Sequence, residues 1–154
     1  DDNCHPFKSN YAGKDWVFAH NGQISNIDQH HESKGDTDSE QFFRKLMDEV
    51  SIYQRSGNVR GIYPGIAKGM KKILADYDSR FTLNFFMSDG SMLYVFSHYP
   101  GKPIFFVQRS KKYGDAILLS TQKLTDDEEW KPLPKDRLLV ISRGDIITLS
   151  DKLF

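Results

Sequence analysis

The sequence predicts an α+β fold in which helices pack against mainly antiparallel β-sheet. Two stretches in the first half carry apolar residues at spacings of three and four, which is typical of amphipathic helices. After residue 80 the pattern changes to short apolar runs separated by turn-forming steps, which is typical of antiparallel strands. The chain has 154 residues, the usual size of one domain with its own core. We therefore expect residues 1–154 to form a single domain.

Composition and charge exclude several classes of function. The 21 basic and 21 acidic residues leave a net charge of zero, so the overall charge attracts neither nucleic acid nor an anionic membrane. No apolar run approaches the length of a membrane span, no secretory signal opens the sequence, and one cysteine cannot form an internal disulfide. We therefore expect a cytoplasmic protein with no nucleic-acid partner and no membrane contact.

The first predicted strand ends in polar residues that suggest a site. An apolar run from Trp16 to Ala19 predicts a buried strand. The Asn21-Gly22 step that follows is a strong turn signal, and its glycine lets backbone NH groups approach a ligand closely. Taken in isolation, an ordinary hairpin turn is the simpler interpretation of this step.

Polar residues also gather where the first predicted helix begins. Thr37 is predicted as the N-cap, and Glu40 three residues later completes a capping box. Asp38 then lies in the first turn, where a carboxylate stabilises a helix by about 0.3–1 kcal/mol even without any other role. The helix is predicted from about Asp38 to about Tyr53, with one apolar stripe made of Phe42, Phe43, Leu46, Met47 and Val50.

A second helix is predicted to begin at Pro64, because proline suits a first helical position. Its apolar residues keep the helical period as far as Asp78-Ser79, and they are Ile66, Met70, Ile73, Leu74 and Tyr77.

The rest of the chain is predicted to form an antiparallel meander with turns at Asp89-Gly90 and Arg143-Gly144-Asp145. The strands are Phe81–Met87, Met92–His98, Ile104–Gln108, Ala116–Ser120, Leu138–Ser142 and Ile146–Leu149. Several strands are apolar at consecutive positions, so both faces of the sheet are expected to be covered. Thr125 to Arg137 is predicted to be a surface loop anchored by Trp130.

Three linked motifs support a family resemblance. They are Asn3-Cys4-His5-Pro6-Phe7, Trp16-Val17-Phe18-Ala19-His20-Asn21-Gly22 and Gly35-Asp36-Thr37-Asp38-Ser39-Glu40-Gln41-Phe42. In order and spacing they resemble the signature of the class II glutamine amidotransferases, especially the small stand-alone members. The later segments Leu83-Asn84-Phe85, Ser88-Asp89-Gly90, Leu119-Ser120 and Trp130-Lys131-Pro132-Leu133 resemble the C-terminal half of those proteins, so the likeness covers nearly the whole chain.

The resemblance implies an N-terminal nucleophile hydrolase fold, a four-layer α-β-β-α sandwich whose mature chain begins with a catalytic cysteine. Here Asp1 stands first, and the family's cysteine and the arginine-containing segment that grips the substrate carboxylate do not precede it. We therefore expect the N-terminal strands to be missing and this chain alone to be inactive. Missing strands leave sheet edges unpaired, so association of copies, for example as a homodimer, is expected.

The resemblance also implies roles for the residues that match the motifs. Hydrolysis of the glutamine amide requires a thiolate, a base, an oxyanion hole and a clamp for the amino acid. By similarity, the Asn21 side-chain amide and the Gly22 backbone NH form the oxyanion hole. Asp38 holds the substrate α-ammonium, and His5 lines the pocket near the substrate carboxylate. The nucleophile comes from an N-terminal segment or a second chain, and Asp36 is expected to be structural.

Two further groups are not expected to act in catalysis or metal binding. Cys4 next to His5 invites the interpretation of a cysteine-histidine pair, but adjacent residues of an extended segment point to opposite faces. Cys4 is therefore predicted to be a half-buried packing residue. The consecutive His30 and His31 lie in a polar stretch and are predicted to be solvated. We expect no metal ion and no cofactor.

The sequence thus predicts the glutaminase domain of a class II amidotransferase, which releases ammonia from glutamine or cleaves a related γ-glutamyl amide. Two alternatives stay open. A hydrolase of γ-glutamyl conjugates would use the same site with different pocket walls. A binding or regulatory domain would keep the fold without the nucleophile, although intact oxyanion-hole and ammonium-binding residues argue against it.

Overall fold

A computed structural model describes residues 2–57, 61–77, 81–109 and 114–154. These residues contain nine strands and two α-helices. In chain order the elements are β1 (Phe7–Tyr11), β2 (Lys14–Gln23), α1 (Asp38–Arg55), α2 (Ile62–Leu74), β3 (Thr82–Ser88), β4 (Leu93–His98), β5 (Phe105–Gln108), β6 (Ile117–Ser120), β7 (Lys131–Pro132), β8 (Leu138–Ser142) and β9 (Asp145–Leu149). A 3₁₀ turn, Ala75–Tyr77, follows α2.

The strands form two antiparallel sheets, which confirms the predicted α+β class. The large sheet has the order β1-β2-β3-β4-β8-β9, and the small sheet has the order β6-β5-β7. The predicted single meander is wrong, because β4 pairs with β8 while β5, β6 and β7 form the second sheet. Apolar residues at consecutive positions make this possible, since they supply a core on each face of the large sheet.

The two faces of the large sheet carry different cores. Residues paired directly across antiparallel strands share a face, and successive residues alternate between faces. Phe85 and Phe96 pair with each other and belong to the core shared with α1 and α2. Phe86 and Val95, one position along, pack against residues of the small sheet and its loops. The described residues therefore stack as a helical layer, the large sheet and the small sheet.

Helix α1 begins at the residue predicted from its N-cap. The Thr37 side chain accepts a hydrogen bond from the Glu40 backbone NH at 3.3 Å. The Glu40 carboxylate accepts from the backbone NH groups of Lys34 and Gly35. In a capping box it would accept from the backbone NH of the N-cap residue, Thr37. The predicted stripe of α1 is buried throughout: Phe42, Phe43, Leu46, Met47 and Val50.

Helix α2 begins at Ile62, so Pro64 occupies its third position and the predicted start is two residues late. The predicted end at Asp78-Ser79 lies outside the described residues. Neither helix of the described ranges is both long and apolar enough to cross a membrane.

The first hairpin lies where the sequence did not indicate one. Strands β1 and β2 are joined by Ala12 and Gly13, which have φ angles of 52° and 73°. The predicted turn at Asn21-Gly22 is wrong, because β2 continues through both residues while they pair with β3. Pairing with a distant strand has overridden a local turn preference.

Trp130 anchors its loop as predicted. Its side chain is 4% exposed, and its Nε1 donates to Thr125 Oγ1 at 2.9 Å. The loop also contributes the short strand β7, which pairs with β5.

Candidate active site

The two polar segments singled out in the sequence meet in the structure. The backbone NH of Ile24, just after β2, donates to Asp38 Oδ2 at 2.7 Å. Asn21 and Gly22 occupy the last part of β2, so this bond holds the first turn of α1 next to the strand end that carries them. The Asn21 side chain is exposed, whereas Asp38 is half-buried.

Asn21 lies on the sheet face that is turned away from the helices. It pairs directly with Asn84 of β3, which in turn pairs with Ser97 of β4. The Asn84 carboxamide is buried, accepts from Ser97 Oγ at 2.9 Å and donates to the Lys102 carbonyl at 2.7 Å. Ser97 Oγ also accepts from the Ile104 backbone NH at 3.2 Å. This polar row fixes the strand beside Asn21 and the loop that follows β4.

Gly22 fits its position because it has no side chain. A Cβ atom there would lie 2.6 Å from the Thr82 carbonyl carbon and 2.7 Å from His20 Nε2, and closer still to the carbonyl oxygen. Real Cβ atoms essentially never show contacts under 3.0 Å. The glycine therefore permits the close approach of β2 to the beginning of β3.

His20 was not selected from the sequence, although it precedes Asn21-Gly22 at the end of a buried run. Its ring is 8% exposed and contacts two other elements. Nδ1 lies 2.9 Å from Ser39 Oγ in α1, and Nε2 lies 3.2 Å from the Thr82 carbonyl oxygen in β3. Burial lowers the pKa of His20 below its usual value, against the opposing effects of the Thr82 carbonyl and the Asp38 carboxylate.

His5 lies in the same region as Asp38. Partial burial lowers the pKa of His5, while the charge of Asp38 acts in the opposite direction. The His5 ring packs edge-on against Phe7, with ring centroids 4.9 Å apart. The neighbouring Cys4 is exposed, so the prediction of a half-buried packing residue is wrong.

A network of hydrogen bonds shapes the loop between β2 and α1. Burial opposes ionisation of Glu40, but hydrogen bonds from Gly35, Lys34 and Arg44 outweigh it and lower the pKa of this carboxyl. Asn3 Nδ2 donates to Asp36 Oδ1 at 2.9 Å, and the Asp36 backbone NH donates back to Asn3 Oδ1 at 3.1 Å. Asp36 thus connects the loop to the segment that carries His5.

The described ranges contain no group of three histidine, cysteine, aspartate or glutamate side chains arranged to hold a metal ion. The predicted solvation of the histidine pair is right only for His31, which is exposed. His30 is 7% exposed, and its Nε2 lies 2.9 Å from Asp48 Oδ2. Its burial follows from the fold of the loop against α1, which the polar stretch around it does not indicate.

Comparison with known families and proteins gives consistent matches. The family model described as Glutamine amidotransferases class-II matches residues 1–119. The "Putative glutamine amidotransferase YafJ" of Escherichia coli K12 is 28% identical over 145 residues, which cover 92% of this chain and 54% of that protein. The chain spans about half the length of the sequence relatives it matches.

Two solved structures show the same fold. A "predicted glutamine amidotransferase" from Pseudomonas aeruginosa matches with a TM-score of 0.77 and 23% identity, covering 96% of this chain and 65% of that one. The glutamine phosphoribosylpyrophosphate amidotransferase of B. subtilis matches with a TM-score of 0.64 and 15% identity, covering 99% of this chain and 32% of that one. The mixed fold with antiparallel sheets is therefore shared with these two solved proteins.

Proposed function

The chain belongs to the class II glutamine amidotransferases, and from this premise we propose that it forms the glutamine-binding part of a glutaminase site. The proposed reaction is hydrolysis of the side-chain amide of glutamine, with release of ammonia. The observation that carries the proposal is the bond from the Ile24 backbone NH to Asp38 Oδ2, because it holds a carboxylate beside the Asn21-Gly22 strand end.

Each of these groups has a distinct task in the proposed reaction. Asp38 binds the α-ammonium of glutamine through a charge-assisted hydrogen bond, and a carboxylate already fixed by Ile24 loses little freedom on binding. The Asn21 carboxamide and the Gly22 NH donate to the oxyanion that forms when the amide carbon is attacked. His5, near Asp38, lines the pocket on the side of the substrate carboxylate.

The attacking atom is proposed to be the sulfur of a cysteine outside these 154 residues. Its thiolate bonds to the amide carbon and forms the tetrahedral intermediate. The α-amine of this N-terminal cysteine acts as the base and returns a proton to the departing nitrogen, which leaves as ammonia. Water then hydrolyses the thioester to glutamate and frees the thiol. Cys4 has no part in this scheme. We therefore expect Cys4→Ser to retain the full activity of the protein that contains these residues.

The proposal is tested by glutamate release from glutamine, measured with the full-length protein. We expect Asn21→Ala to lower kcat by about 10²–10³-fold, because it removes one oxyanion donor. Asp38→Ala is expected chiefly to raise KM, because it removes binding to the unreacting end of the substrate. Unchanged kinetics in both variants would remove these site assignments, and glutamine binding without any turnover would favour a regulatory domain.

A second substrate class, the γ-glutamyl conjugates, would use the same site. The glutamyl part would bind in the same way, and only the leaving group would be larger than ammonia. Comparing kcat/KM for glutamine with that for γ-glutamyl peptides tests this alternative. Equal or higher values for the peptides would favour a conjugate hydrolase, and a strong preference for glutamine would exclude it.

A further inference from the structure

One buried imidazole at this strand end has no task in the proposed reaction. His20 links the first turn of α1 to the beginning of β3, through Ser39 Oγ at 2.9 Å and the Thr82 carbonyl oxygen at 3.2 Å. It also lies directly beneath Gly22, whose position leaves no room for a Cβ atom above Nε2. A ring held on both nitrogens fixes the distance between the Asn21-Gly22 segment and the helix that carries Asp38.

The hydrogen bonds of His20 determine where its proton lies. The Thr82 carbonyl oxygen can only accept, so Nε2 carries the hydrogen. In the neutral ring Nδ1 then accepts, which assigns Ser39 Oγ as the donor of this bond. Ser39 Oγ is also placed to donate to Asp38 Oδ1 at 3.3 Å, but a hydroxyl has one hydrogen, and the shorter contact of 2.9 Å to His20 Nδ1 receives it.

We infer that neutral His20 is a positioning residue, which takes the Ser39 hydrogen and so leaves Asp38 Oδ1 open to accept the substrate ammonium. This inference rests on the proposed function. Asp38 Oδ2 accepts from the Ile24 backbone NH, and Oδ1 is the oxygen whose capacity to accept the ammonium depends on the direction of the Ser39 hydroxyl. His20 thus acts on the substrate through two intervening side chains and does not touch the reacting atoms.

Protonation of His20 reverses this arrangement. Both ring nitrogens of the imidazolium donate, so Nδ1 donates to Ser39 Oγ and the Ser39 hydrogen turns towards Asp38 Oδ1. There it takes one of the two acceptor positions of Oδ1 and so weakens binding of the substrate ammonium. The titratable groups that act on His20 are Asp38 of α1 and His5 before β1, while β3 contributes the Thr82 carbonyl.

The sign of the pH dependence follows from the burial of the ring. Because burial lowers the pKa of His20 below its usual value of 6.5, the neutral form dominates at pH 7 and the competing form appears only in more acidic solution. KM for glutamine is therefore expected to rise as the pH falls below 6.5. Weakening the charge-assisted hydrogen bond between Asp38 Oδ1 and the substrate ammonium corresponds to a rise in KM of about tenfold.

The test measures KM and kcat for glutamine from about pH 5.5 to pH 8 in the full-length protein and in Ser39→Ala. Removing the hydroxyl leaves His20 and His5 able to titrate, so only the hydrogen-bonded connection from His20 through Ser39 to Asp38 is lost. We expect the acid rise in KM to shrink to the part that direct charge repulsion produces, with kcat nearly unchanged at pH 7.5. Superimposable KM profiles for the two proteins would overturn the inference.

Two substitutions of His20 separate its two nitrogens. His20→Asn places a carboxamide where Nδ1 lies, so it can still accept from Ser39, whereas His20→Gln places a donor where Nε2 lies. We expect KM near the parent value in His20→Asn and a severalfold higher KM in His20→Gln, at equal melting temperatures. The opposite order would overturn the inference, and absence of glutaminase activity in the parent protein would overturn the proposed function itself.

Discussion

Replacing Gly22 with alanine tests whether the approach of β2 to β3 sets the geometry of the site. The new Cβ would lie 2.6 Å from the Thr82 carbonyl carbon, whereas ordinary contacts begin at 3.4 Å. The beginning of β3, or the end of β2 with Asn21, must therefore move by at least about 0.8 Å, since the Thr82 carbonyl oxygen lies closer still. A misplacement of about 1 Å can cost 10²-fold in rate, so we expect kcat/KM for glutamine to fall by about 10²-fold.

The same crowding has an expected effect on stability. Overpacking of this kind costs about 1–3 kcal/mol, and a domain of this size loses about 2–4 °C of Tm for each kcal/mol. Gly90→Ala is the matched control, since Gly90 lies at the opposite end of β3 with φ at 81° and open space around its Cβ position. Left-handed strain costs about 1–2 kcal/mol there.

Glutamate release and thermal melts of both variants decide the matter. We expect Gly90→Ala to lose stability while keeping kcat/KM, and Gly22→Ala to lose both. Full kcat/KM in Gly22→Ala would show that the contact of Gly22 with Thr82 has no bearing on the site.

Two further predictions concern stability. Leu46 is fully buried in the core that α1 shares with α2 and the large sheet, so Leu46→Ala should lower the free energy of unfolding in urea by about 2–5 kcal/mol. Ile52→Ala on the same helix, at a side chain 50% exposed, should change it by less than about 0.5 kcal/mol, and equal losses would contradict the packing. Hydrogen bonds outweigh burial and lower the pKa of Glu40 below its usual value of 4.5, so its stabilising contribution is complete above pH 4.5 and is lost as the pH falls through the lower folded-state value. Glu40→Gln should flatten the acid decline of Tm, and an unchanged slope would refute the role given to its hydrogen bonds.

Elements specified by local chemistry were predicted accurately. Strand β8 has the predicted bounds, Leu138–Ser142, because its apolar residues are contiguous. Helix α1 begins at Asp38 as predicted, because Thr37 caps it with its own side chain. Strand β1 was missed because Phe7–Tyr11 lies at the edge of the sheet and alternates only weakly between apolar and polar residues.

The candidate site divides in the same way. Asp38 could be placed from the sequence, since its position in a first helical turn depends on neighbouring residues. The continuation of β2 through Asn21 could not be predicted, because it depends on pairing with β3, about sixty residues later in the chain. His20 was missed for the same reason, since its two partners come from α1 and β3.

The buried carboxamide of Asn84 restricts how this region can change its sequence. It accepts from the hydroxyl of Ser97 and donates to the carbonyl of Lys102. An apolar replacement of Asn84 or Ser97 alone therefore leaves a buried polar atom without a hydrogen-bond partner. We expect only concerted exchanges to be tolerated here, in which both side chains become apolar together and the backbone groups of Lys102 and Ile104 acquire new partners. Redesign of this region therefore has to change β3, β4 and the loop after β4 together.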